Sequence, residues 1–135
     1  RDFGWNEKTR PIVGCRASVL PSQVGCLIKN LEVITAFDNT PPALLSHPAY
    51  GTVSVGWFGE TNEPSEDSLY DIISKARFAA HKSGGNITVE QCPTRIKKRV
   101  SVWDEVGESI AIMRRMKQQY DPSRTLNPGR FVGGI

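Results

Sequence analysis

The 135 residues suffice for one hydrophobic core and hardly for two. With 39% hydrophobic and 23% charged residues, the chain reads as soluble and globular, and its formal net charge of +3 is too small to argue for nucleic acid. No apolar run approaches the ~20 residues that cross a bilayer, and no secretory signal pattern is visible. Because the first residue is Arg1 and not Met, a piece of a longer chain is expected. Cys15, Cys26 and Cys92 are odd in number and form no C-x-x-C pair, which argues against a disulfide framework or a zinc site. Reduced cysteines fit a cytoplasmic protein.

Arg1 to Pro11 carries no periodic signal and is taken as an irregular lead-in over residues 1–11. From Ile12 to Val19 the residues alternate, with Val13, Cys15, Ala17 and Val19 on one face and Gly14, Arg16 and Ser18 on the other, as in a half-buried strand. Pro21 and Ser22 open a helix whose stripe is Val24, Leu27, Ile28 and Leu31. A second strand is expected over Val33 to Phe37, before the turn-rich stretch Asp38 to Pro42. No element is assigned to Ala43–Tyr50, since Pro48 breaks any helix begun at Ala43. Thr52 to Phe58 alternates again, and Ser65–Ser83 is a helix with Leu69, Ile72, Ile73, Ala76 and Ala80 inward, stopped by Gly84-Gly85. Asn86–Glu90 gives the fourth strand.

Strand, helix, strand, strand, helix, strand is the order of the split βαβ, ferredoxin-like unit. The predicted fold class is therefore α+β: a four-stranded antiparallel sheet over residues 12–92 with both helices on one face, the other face left open. Residues 93–135 hold the basic run Arg95 to Arg99, a helix over Val106–Gln119 with Ile110, Met113, Met116 and Tyr120 as its apolar side, and a glycine-rich tail.

The last third carries a string of high specificity. Met113 to Tyr120, then Asp121-Pro122, then Leu126-Asn127-Pro128-Gly129-Arg130-Phe131 resembles the C-terminal signature of FAD-linked oxidases of the vanillyl-alcohol-oxidase-like superfamily. Phe131 to Ile135 resembles the end of those chains, and Arg16 to Pro21 is similar to the opening strand of their cap domain. Asn86 to Gln91 with Cys92-Pro93 and Val102-Trp103 resembles the branch containing the glycolate oxidase FAD-binding subunit.

The resemblance implies an enzyme that oxidises a small 2-hydroxy acid, glycolate- or lactate-like, by hydride transfer to FAD. The cap would cover the flavin, and residues 93–135 would pack on the chain's own N-terminal FAD-binding domain. Other oxidase subunits are expected partners, through which a cytoplasmic enzyme would meet a membrane peripherally. No Rossmann-like G-x-G-x-x-G follows a strand here, so these residues alone are expected neither to hold FAD nor to catalyse. The open sheet face and terminal helix are expected to form an apolar patch that favours self-association.

By the same resemblance Asn127, Gly129 and Arg130 are cofactor-binding candidates. The Asn127 amide can both donate to and accept from a carbonyl-rich edge, although an Asn before Pro128 also simply shapes a turn. Gly129 suits an unusual backbone conformation, and Arg130 a phosphate, a carboxylate or solvent. Arg16, on the open face, is the substrate candidate: its guanidinium matches a carboxylate, and the competing reading is a surface pair with Glu90. The sequence does not identify a catalytic base.

His47 and His81 lack metal-ligand spacing and no metal is expected. Two other classes compete, an RNA-binding platform built on Trp57-Phe58 with the basic run, and a ligand-sensing module. Neither needs the Leu126 to Arg130 string, and no nucleic-acid partner is expected.

Overall fold

Val13, Cys15 and Ala17 alternate with Gly14, Arg16 and Ser18, so only an extended chain can bury the first set together. In the computed structural model, which describes residues 10–35, 39–59 and 64–135, they lie in β1 (Val13–Ser18) with their side chains almost fully buried. A 3-10 turn at Pro21–Gln23 leads into α1 (Val24–Glu32), followed by β2 (Ala43–His47), β3 (Thr52–Trp57), α2 (Glu66–Lys82), β4 (Asn86–Gln91) and α3 (Ser109–Tyr120). The sheet is antiparallel throughout, in the order β2-β3-β1-β4. Val24, Leu27 and Leu31 of α1 join Leu69, Ile72 and Ile73 of α2 in one core against β1, β3 and β4, the predicted α+β split βαβ architecture.

The second strand lies elsewhere than expected. Val33 is 78% exposed and caps the end of α1, while Ile34 turns inward and its carbonyl accepts Trp57 Nε1–H at 2.7 Å. That bond commits the Ile34 backbone to a buried indole. The place beside β3 is taken by Ala43–His47, paired through Leu45↔Ser54. Pro48 ends this strand in a 3-10 turn that closes at Gly51, whose φ is +65°. A Cβ at Gly51 would run into the Val19 carbonyl, so the hairpin docks on the end of β1 by backbone alone. Ala36 and Phe37 of the expected strand fall outside the described residues.

Ser65 accepts the Ser68 N–H and starts α2, with Glu66 and Asp67 in the first turn where the helix dipole favours them. The basic run is engaged on that same turn. Arg95 donates to the Pro64 carbonyl at 2.7 Å, and Arg99 meets Asp67 at 2.9 Å and lies over the Tyr70 ring. In the same run Ile96 is fully buried in the core.

The chain divides into two compact units, the first ending at Val102 and the second running from Trp103 to Ile135. In the second, α3 buries no side chain fully. Ile110, Met113 and Lys117 form its half-buried stripe, whereas Ile112, Met116 and Tyr120 form an exposed one at i, i+4, i+8. The open sheet face of the first unit carries Ser18, Arg16, Ser54, Thr52, Thr88 and Glu90, joined from the edge strand by Ala43, Leu45 and His47, with Leu45 43% exposed. Alternation uses every large apolar residue of β1 and β4 on the core face, so the large apolar side chain on this face comes from β2.

Candidate functional site

The open face is built around Arg16. It stands on β1, an inner strand, between Ser54 of β3 and Thr88 of β4. The register shifts between Gly14 and Cys15, Gly14 facing Gln91 and Cys15 facing Val89, so Glu90 is the extra residue of a β-bulge. Glu90 Oε1 lies 2.9 Å from Arg16 Nη2, and the two side chains are 36% and 38% exposed. Glu90 thereby holds the guanidinium on an inner strand, with Ser54 and then Leu45 on one side and Thr88 on the other. Ser54 beside Arg16 is buried, as are Gly14 and Gly56 at the neighbouring pair, where the Pro11 and Gln91 side chains stand 3.3 and 3.4 Å from where a Cβ on Gly14 would be.

In the second unit the tail is organised by the residue that follows α3. Asp121, 5% exposed, follows α3 and accepts four hydrogen bonds. Its Oδ1 takes the Thr125 N–H at 2.9 Å and the Thr125 hydroxyl at 3.1 Å, and its Oδ2 takes Lys117 Nζ at 2.6 Å and the Leu126 N–H at 3.0 Å. Lys117 Nζ also donates to the Leu126 carbonyl at 2.6 Å. The Lys117 ammonium above all, then the Thr125 and Leu126 donors, holds the Asp121 carboxyl well below the usual carboxylate range, against the opposing effect of burial. The signal was present as the i, i+4 pair Lys117 and Asp121 with a Thr four residues further on.

This clasp sets the turn that follows. Asn127 has φ +46° and Gly129 φ +72°, and the Arg130 N–H returns to the Asn127 carbonyl at 3.2 Å. The Arg130 carbonyl accepts Trp103 Nε1–H at 3.2 Å, and the Trp103 and Phe131 rings lie 6.2 Å apart. Asn127, Gly129 and Arg130 thus share one exposed turn, while Arg16 belongs to the other unit. Among the described residues the Asn127 amide makes no hydrogen bond, so a donor and an acceptor are presented together. Those groups fit the polar edge of a flavin ring, and the guanidinium of Arg130 fits an anion. Between α3 and the tail lies a cleft of about 450 Å³, walled by Arg114, Lys117 and Asp121 on one side and by Gly129, Gly133 and Gly134 on the other.

His47 ends β2 and His81 lies in the last turn of α2, both exposed. Among the described residues no three His, Cys, Asp or Glu side chains gather to hold a metal, and no helix is long and apolar enough to cross a membrane.

Comparison with curated proteins and with solved structures finds no match. Residues 1–131 match the family described as FAD linked oxidases, C-terminal domain. With nearly the whole length matched, and with the α+β sheet and the clasped Asn-Pro-Gly-Arg turn in place, the chain belongs to the FAD-linked oxidases as their C-terminal domain.

Proposed function

We propose that this domain forms the substrate side of an FAD-dependent enzyme that oxidises a small 2-hydroxy acid, with Arg16 receiving the substrate carboxylate. The flavin, held mainly by an N-terminal FAD-binding domain, supplies the acceptor for the hydride that leaves C2 of the acid. The observation that carries the reading is the placement of Arg16, on an inner strand of the open face and braced by Glu90 at 2.9 Å. A forked cation in that setting is suited to a planar carboxylate, which would share or displace Glu90. In this reading the turn from Asn127 to Arg130 meets the flavin, the Asn127 amide on the ring edge and Gly129 providing the backbone geometry. The domain accordingly docks on its own FAD-binding domain, and further oxidase subunits complete a cytoplasmic assembly.

The test uses the intact enzyme. Arg16→Lys keeps the charge but loses the fork. It should lower kcat/KM for an acidic substrate by about one to two decades, the equivalent of ~1.5–3 kcal/mol for a charge-assisted pair, with FAD content unchanged. The amide of the same substrate, lacking the carboxylate, should respond little. A kinetically silent Arg16→Lys would return Arg16 to a surface ion pair with Glu90. For the turn, Asn127→Gly is the cleaner probe because it tolerates φ +46°, and it should loosen FAD or shift its potential for all substrates alike.

A further inference from the structure

The cleft between α3 and the tail has a charge distribution that the clasp does not consume. Arg114 and Lys117 project from the same face of α3, one turn apart, and Arg124 enters from the loop beyond Pro122. Asp121 is the sole acidic side chain of the lining, its charge already matched by Lys117 and three further donors, and Ile135, also in the lining, adds the terminal carboxylate of the chain against the two remaining arginines. What remains is two guanidinium groups, Arg114 and Arg124, which make no side-chain hydrogen bond or ion pair among the described residues. In the same lining Gly129 and Gly134 leave open space, since a Cβ at either would meet nothing within 4 Å. Two forked cations lining one cleft of about 450 Å³ together with the backbone of Gly129 and Gly134 offer phosphate-binding chemistry in a volume that suits a small ligand.

We propose that this cleft binds the phosphate groups of a phosphorylated small molecule, with Arg114 and Arg124 as the paired donors and Lys117 positioning the wall through Asp121. The site does not rest on the role given to Arg16, which lies in the other unit; it shares Gly129 with the turn proposed to meet the flavin, and the arginine variants test it apart from Asn127→Gly. Phosphate could arrive free, as an inorganic polyanion, or carried on a nucleoside, and the two sources differ only in what the rest of the cleft contributes.

The experiment titrates the 135-residue chain with ADP, inorganic pyrophosphate and adenosine, following the backbone amide resonances of Gly129, Gly133 and Gly134. Saturable shifts are expected with ADP and pyrophosphate and none with adenosine, and the affinity should fall as salt is added. Arg114→Gln or Arg124→Gln should each weaken binding about tenfold or more, whereas Arg115→Gln, on α3 but outside the cleft, should leave it unchanged. Arg114→Lys, which keeps the charge and loses the fork, should fall between. Equal affinities for ADP and pyrophosphate would support recognition of phosphate alone, and tighter binding of ADP would support a nucleotide. Absence of saturable shifts, adenosine binding as well as ADP, or wild-type affinity in both glutamine variants would overturn the proposal.

Discussion

Asp121 shapes the tail through a single ionised carboxylate, and this makes a signed prediction about pH. Its ordinary value is 3.8 and the native one is lower, so the stabilisation is complete above 3.8 and is lost as the pH falls further. The amide shifts of Thr125 and Leu126 should therefore stay constant from neutral pH down to that point and move only below it. Asp121→Asn should disturb them already at neutral pH, because the amide replaces an acceptor by a donor facing Lys117. The cysteines give a second residue-scale test. Burial, with Cys92 nearby and against the attraction of Arg77, pushes the Cys15 thiol up to about 12, and burial also raises Cys92, whereas Cys26 is exposed. Alkylation of the native chain should reach Cys26 first, Cys92 more slowly and Cys15 only in denaturant; rapid native labelling of Cys15 would contradict the packing. The Arg16–Glu90 pair was legible in the sequence because alternation puts both on one face. The Asp121 clasp was not, because three of its five hydrogen bonds involve backbone groups that no residue type announces.

At the scale of elements, hydrophobic periodicity located β1, β3, β4 and all three helices to within a few residues. It failed at β2, for a physical reason. Val33 to Phe37 reads as a strand because it is β-branched and apolar, but propensity does not tell a strand from a helix end at Val33 followed by an Ile34 carbonyl claimed by Trp57. Ala43–His47 is an edge strand between Pro42 and Pro48, where weak patterning and flanking prolines hide it. Trp57→Phe tests that explanation. It removes the donor to the Ile34 carbonyl and should lower stability by ~1–3 kcal/mol, read as a lower urea midpoint. An unchanged midpoint would mean that the indole bond does not decide the course of the chain after α1.

For the molecule as a whole, the family and its fold were both legible, the family through the Leu126 to Arg130 string and the fold through the order of periods. The charge arrangement of the tail cleft was not, since it depends on Arg114 and Arg124 converging from separate segments. No G-x-G-x-x-G loop follows a strand in these residues, so the purified chain should be colourless and should not retain FAD through gel filtration. Stoichiometric yellow flavin on the isolated chain would refute that. The sheet order β2-β3-β1-β4 also constrains how the domain comes into being. β2 and β3 are neighbours in sequence and close through the short Pro48–Gly51 turn, so they can meet early. β1, the first of the four strands to be made, pairs only with β3 and β4, which follow after α1 and β2 and after α2 respectively. During synthesis its apolar face of Val13, Cys15 and Ala17 must wait without a partner strand on one side until Asn86–Gln91 has been made, which places the greatest exposure to misassociation on the nascent chain and not on the finished domain.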